Sequence, residues 1–216
     1  MLKRLTLEDA RRAMQQPRPG MSAHALMAPP GRPVPIPPDL PPERRAAVLL
    51  LLYPHGDQVH FVLTRRAENL ERHAGQISLP GGRYEASDGD LWRTALRESE
   101  EELGANLGAA EALGALTPLY VSPSRLAAHP FVAALDSPPL LAPRVGEVAE
   151  AREVPLGWLL EAERRVRVRR PLDRDGELWA EVPAWRFGGW EVWGATAMLL
   201  SEFAVMLDEA CTITDR

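Results

Sequence analysis

The sequence holds one cysteine, Cys211, among 216 residues. A lone thiol excludes an intramolecular disulfide framework and any Cys-rich zinc site, and it points to a reducing compartment, with the cytoplasm as the expected location. Lysine is equally scarce, with Lys3 the single example. Basic charge is short overall: 25 Lys and Arg stand against 30 Asp and Glu, for a net charge of −5. No sequence-wide positive field exists to hold a phosphodiester backbone, so a nucleic-acid partner is not expected. The longest nearly pure apolar run, residues 46–53, is too short to cross a bilayer, and the N-terminus moves straight into charge without the apolar core of a secretory signal. No membrane association is expected. His55, His60, His73 and His129 show no metal-ligand spacing, and HExxH, GxSxG and Walker loops are missing, which disfavours those chemistries.

What is present is an ordinary globular composition, 45% hydrophobic and 25% charged. A chain of this length buries roughly 70% of its unfolded surface without staples. Residues 6–15 read as a short helix, with Thr6 and Asp9 at its start and Leu7, Ala10 and Met14 on one face. Residues 17–42 carry 10 of the 21 prolines, which favours extended, polyproline-like backbone. The chain therefore divides into an N-terminal helix and Pro-rich arm, residues 1–40, and a main domain, residues 41–216. Strand-like blocks at 47–53 and 58–64 flank the turn Pro54-His55-Gly56-Asp57 and predict a hairpin. Leu91, Trp92, Ala95, Leu96, Ser99 and Leu103 share one side of a predicted helix that Gly104 closes. Further strands are expected over 112–121, 131–135 and 145–154, and an apolar terminal helix over 195–210. The order of elements is that of an α/β fold.

On the predicted helix, Glu98, Glu101 and Glu102 stand at i, i+3 and i+4, gathering three carboxylates within about 100° of arc beside the apolar face. Like charges so spaced repel by about 0.2–0.5 kcal/mol per pair and oppose the dipole near a helix C-terminus. Either the run is a solvated acidic face, or a bound cation removes the conflict. Oxygen-only ligands favour a hard ion, Mg²⁺ or Mn²⁺, over zinc.

The stretch Gly81-Gly82-Arg83-Tyr84-Glu85-Ala86-Ser87-Asp88, followed by Arg97-Glu98-Ser99-Glu100-Glu101-Glu102-Leu103-Gly104, resembles the Nudix box, G-x5-E-x7-R-E-U-x-E-E-x-G-U, where U is aliphatic. Asp88 stands for the first Glu, one extra residue precedes Arg97, Ser99 replaces an aliphatic residue, and Ala105 is a small final one. Upstream, the segment from Val62 to Gly82 resembles the additional signature of coenzyme A pyrophosphatases, LLTxRSxxxRxxxGxxxFPGG, with Leu79 at the usual Phe and Arg72 one place late. The likeness extends over residues 45–207. It implies an α/β/α sandwich of the Nudix type with a mixed β-sheet. It implies Glu98, Glu101 and Glu102 as metal ligands, the Gly81 carbonyl as a further contact, and Arg97 as the cation that holds a carboxylate, Asp88 or Glu98, in place. Glu102, and second Glu147, are the candidate general bases. Arg65, Arg66 and Arg72 are candidates to meet substrate phosphates, because guanidinium forks suit phosphate oxygens.

The implied substrate is a small nucleoside diphosphate of the coenzyme A class, cut to 3′,5′-ADP and (acyl-)4′-phosphopantetheine with Mg²⁺ or Mn²⁺ as cofactor. Rival readings are a Nudix enzyme for ADP-ribose or a dinucleoside polyphosphate, which Tyr120 keeps open, a non-catalytic Nudix binder, and a scaffold recruiting partners through its proline-rich arm. A homodimer is the base-rate expectation for assembly. Trp185, Trp190 and Trp193 either stack on a base or fill the core. Arg164, Arg165, Arg167, Arg169 and Arg170, alternating partly with valines, read as a charged exposed strand.

Overall fold

The computed structural model describes residues 4–68, 75–172 and 177–214. Helix α1 (Leu7–Gln15) starts at a reciprocal cap: Thr6 Oγ1 accepts from the Asp9 N–H at 3.2 Å, and Asp9 accepts from the Thr6 N–H at 2.8 Å. A second helix, α2 (Met21–Leu26), follows, so the expectation of continuous extended backbone over 17–42 is corrected here. No proline falls between Pro19 and Pro29, and this gap is long enough for one and a half helical turns that bury Ala23 and His24.

The hairpin forms as expected from β1 (Arg45–His55) and β2 (Gln58–Arg66). Short strands β3 (Ile77–Ser78) and β4 (Gly81–Arg83) lead through a tight turn to α3 (Leu91–Leu103). Then come β5 (Glu111–Ala115), β6 (Leu119–Val121), β7 (Leu126–Ala134) and β8 (Val148–Pro155). The single strand expected over 112–121 is two strands, because the Thr117 N–H donates to a buried carboxylate, Glu202, and Pro118 has no N–H to offer. A separate antiparallel sheet holds β9 (Arg165–Pro171), β10 (Trp179–Phe187) and β11 (Trp190–Trp193), and α4 (Gly194–Thr214) closes the chain.

The main sheet is mixed. Strands run β3-β2-β1-β7-β5, with β1 and β7 parallel and the remaining pairs antiparallel, while β4 adds to β1, β6 to β7 and β8 to β2. Its central strand β1 is apolar on both faces because both are covered. Leu49, Leu51 and Tyr53 pack with Ala95 and Leu103 of α3 on one side. Leu50 and Leu52 pack with Leu200, Phe203 and Leu207 of α4 on the other. This is the α/β/α sandwich with a mixed sheet that the resemblance implied.

Helix α4 is apolar around most of its circumference, which only a helix covered on all sides tolerates. Its outer side is covered by α1 and α2, through Ala10, Ala13, Met14 and Met27. The tie is polar as well as apolar: Glu202, fully buried on α4, accepts from the Gly20 N–H at 3.1 Å, His24 Nε2 at 3.1 Å, the Thr117 N–H at 2.9 Å and Thr117 Oγ1 at 2.6 Å. Trp185 is a core residue, its indole N–H bonded to the Ala197 carbonyl at 3.3 Å, and Trp190 is nearly buried. The arginine-rich segment is the predicted strand, with Arg165, Arg167 and Arg169 exposed and Val168 buried on the opposite face of β9.

Candidate active site

Strand β4 and the last turns of α3 meet at the two glycines. A Cβ at Gly81, where φ is +144°, would strike the backbone of Ala47 and Val48, so the close pairing of β4 with β1 requires glycine. A Cβ at Gly82 would occupy the space of the Glu98 carboxylate. The Gly-Gly step thus brings a bare stretch of backbone against the acidic face of the helix. Helix α3 itself begins at Asp90, which caps the Arg93 N–H at 2.8 Å, and ends at Gly104 in the left-handed conformation. Beyond it the chain turns back, and the Ala142 and Arg144 N–H groups donate to the Leu103 and Glu102 carbonyls at 2.8 and 3.1 Å. This return carries Arg144 and Glu147 to the acidic end of the helix.

Arg97 is the hub. Its guanidinium grips Asp88 with two bonds, Nε to Oδ1 at 2.7 Å and Nη2 to Oδ2 at 3.1 Å, and reaches Glu98 at 3.1 Å, Glu101 at 3.4 Å and the Arg83 carbonyl at 3.1 Å. Of the two carboxylates expected to hold it, it binds both. Asp88 is fixed further by Thr94 Oγ1 at 2.8 Å and the Glu85 N–H at 3.0 Å. Hydrogen bonding from Arg97 is the largest influence on Asp88 and, against the desolvation that opposes it, holds the carboxyl far below the ordinary range. Burial pushes Glu98 up, and Arg97 offsets this only in part.

Glu102 is the most deeply placed of the three glutamates, 7% exposed. Its Oε2 accepts from the Gly81 N–H at 3.2 Å, and Arg66 Nη1 stands 3.9 Å from Oε1. Burial raises its pKa to about 7, opposed by the Gly81 N–H and Arg66 and reinforced by the neighbouring Glu98 and Glu147 carboxylates. Arg144, which sequence reasoning missed, lies 3.6 Å from both Glu101 and Glu147. It sits in an irregular, proline-bounded loop without periodicity, so no local pattern marks it. Thr94 was missed as well; it lies six residues after Asp88 on the buried side of α3.

Arg66 joins the cluster; Arg65 does not. Arg65 points to the opposite face of β2, pairing with Glu150 at 3.2 Å and standing 3.9 Å from Glu68. Arg72 lies outside the described residues. Among the described residues no group of three or more His, Cys, Asp or Glu side chains is arranged to hold a metal ion. The donor set nevertheless fits a hard divalent cation. It is all oxygen, it includes a buried carboxyl whose nearest cationic partner among the described residues is 3.9 Å away, and a magnesium-like ion needs only one or two carboxylates beside water and phosphate.

A helix-borne carboxylate cluster clamped by arginine beside a Gly-Gly turn, on an α/β/α sandwich, defines the hydrolase class built on this sandwich. The NUDIX domain model matches residues 42–175, and the chain belongs to the Nudix hydrolase family. It is therefore an enzyme of a family whose members generally use divalent metal ions. An uncharacterized Nudix hydrolase NudL of Pectobacterium atrosepticum is 33% identical over 179 residues, covering 81% of this chain and 90% of that protein. The human mitochondrial coenzyme A diphosphatase NUDT8 is 34% identical over 165 residues, covering 75% of this chain and 68% of that one. A Nudix hydrolase of M. smegmatis, RenU, superposes with a TM-score of 0.45 at 22% identity, over 53% of this chain and 71% of that chain. Among the described residues no helix is long and apolar enough to cross a membrane.

Proposed function

We propose that this protein hydrolyses the pyrophosphate bond of coenzyme A or its derivatives with Mg²⁺ or Mn²⁺, releasing 3′,5′-ADP and (acyl-)4′-phosphopantetheine. The observation that carries this reading is the 34% identity over 165 residues to a coenzyme A diphosphatase, which spans both the box and the upstream signature. Glu98, Glu101 and Glu102 would hold the metal, with the Gly81 carbonyl as a further ligand. When bound, the ion supplies neutralisation of phosphate oxygens and activation of a water.

The chain's own residues do the rest. Arg97, locked on Asp88, holds Glu98 beside the Gly82 backbone and limits the rotamers of Glu101. Arg66, near Glu102, is placed to meet a substrate phosphate on the same side of the sheet. The proton of the attacking water goes to a carboxylate, Glu102 first and Glu147 second. Glu147 is the more exposed of the two and, among the described residues, pairs with Arg144.

Purified protein is incubated with coenzyme A, with and without Mg²⁺ or Mn²⁺, and products are separated by chromatography beside Glu102→Gln and Glu147→Gln. Metal-dependent 3′,5′-ADP and phosphopantetheine, lost in Glu102→Gln, is the expected result. Intact coenzyme A beside cleaved ADP-ribose or dinucleoside polyphosphate would move the substrate to those compounds.

A further inference from the structure

Consecutive residues of a strand point to opposite faces. Arg66 faces the glutamates, and Arg65 faces a cleft of about 480 Å³ between the β2–β3 edge and the three-stranded sheet. Arg65, Ile77, Arg170, Gly189, Trp190 and Trp193 line it. The walls are built. Arg170 is held by Glu191 at 2.7 Å and Arg65 by Glu150 at 3.2 Å, and Trp190 is covered on one side by the Arg152 guanidinium, 4.3 Å from the ring centroid. Trp193 is half-buried and Gly189 has open space where a side chain would stand.

The cleft is also close to the carboxylate site. Ile77 lines it, and Gly81, whose N–H binds Glu102, lies four residues on. Four residues of extended chain span at most about 14 Å, a reach that a nucleotide covers from its diphosphate to its base. Two fixed guanidiniums and an indole suit a planar heterocycle carrying a phosphate. They suit the amide chain of pantetheine less well, since it offers neither ring nor charge.

We propose that this cleft is the subsite for the nucleotide end of the substrate, taking a purine ring against Trp193 and an adjacent phosphate on Arg65 and Arg170. The inference rests on the diphosphatase reading for its substrate and on the cleft for its place.

The test is calorimetric titration of the full chain, with Mg²⁺ present, by 3′,5′-ADP, AMP and 4′-phosphopantetheine separately. Wild type is compared with Arg170→Gln and Trp193→Leu, whose folding is checked by circular dichroism. The Kd for 3′,5′-ADP is expected to rise at least about tenfold in each variant, since each loses a charge-assisted bond or a stacking face, while that for 4′-phosphopantetheine stays unchanged. The KM for coenzyme A should rise more than kcat falls. Equal weakening of both products, selective loss of 4′-phosphopantetheine, or a wild type that binds no adenine nucleotide overturns the proposal. If coenzyme A is not cleaved but AMP binding weakens in the same two variants, the substrate reading fails and the nucleotide subsite stands.

Discussion

Replacing Glu202 by alanine removes an acceptor that four donors share inside the protein. Both carboxylate oxygens are used twice: Oε1 by the Gly20 N–H and Thr117 Oγ1, Oε2 by the Thr117 N–H and His24 Nε2, at 2.6–3.1 Å. Glu202 and His24 are completely buried and Gly20 is buried, so these groups cannot turn to water, while Thr117 is half-buried. Breaking a buried charge network from one side costs about 3–5 kcal/mol, a large share of the roughly 5–15 kcal/mol that a domain has. At about 2–4 °C per kcal/mol for a chain of this size, Tm should fall by about 6–20 °C. Glu202→Gln should lie between the two, since its amide presents a donor to at least one N–H that needs an acceptor. Burial alone would raise the Glu202 pKa, but bonds from His24 and Thr117 outweigh it and hold the carboxyl below its ordinary value. A carboxyl depressed in the folded state stabilises above its unfolded pKa, about 4.3, and that stability is lost as pH falls through the folded value. The gap between wild type and Glu202→Gln, followed by urea unfolding, should therefore narrow as pH is lowered below about 4. A Glu202→Ala protein within 2 °C of wild type at pH 7 would refute the reasoning, as would a gap that widens in acid.

The two glycines of the turn should separate stability from activity. Gly81→Ala meets backbone of Ala47 and Val48 and should cost at least about 2 kcal/mol in urea unfolding. Gly82→Ala meets only the end of the Glu98 side chain, so it should cost under about 1 kcal/mol and yet lower kcat sharply by displacing that carboxylate. Arg97→Lys keeps the charge but loses the two-pronged grip on Asp88; kcat should fall about tenfold or more, with the circular dichroism spectrum unchanged. Ser99 buries a hydroxyl that has no partner among the described residues, so Ser99→Ala should leave stability unchanged or raise it by up to about 1 kcal/mol, read as a higher urea midpoint.

Periodicity located what it governs. The hairpin, α3 and α4 are each marked by apolar spacing, and Gly104 ends α3 in the left-handed turn that the residue type invites. Where a tertiary partner competes with local preference, the pattern misleads. Residues 112–121 read as one strand, but the Thr117 N–H goes to Glu202, 85 residues away. The proline-rich segment reads as extended, but a proline-free gap winds into α2 because α4 offers Ala23 and His24 a buried surface. The clamp of Arg97 on Asp88 was legible from the box, since both residues lie within one turn-and-helix unit. Arg144 was not, because its place depends on a loop folding back over the end of α3.

The same distinction explains why α4 carries so little helical amphipathicity while folding as a helix. Considered alone, a helix that is apolar on most sides has no face to give to water and no reason to stop at one layer. Here α1 and α2 supply the second layer, and Glu202 is a carboxylate placed fully inside it. An acidic residue in the middle of an apolar helix is costly unless donors converge on it. The donors come from Gly20, His24 and Thr117, so the carboxylate selects one way for the N-terminal segment to lie across α4. Apolar contact between α1, α2 and α4 would permit sliding or rotation of the cover; two directed bonds, from Gly20 and His24 to one buried group, do not.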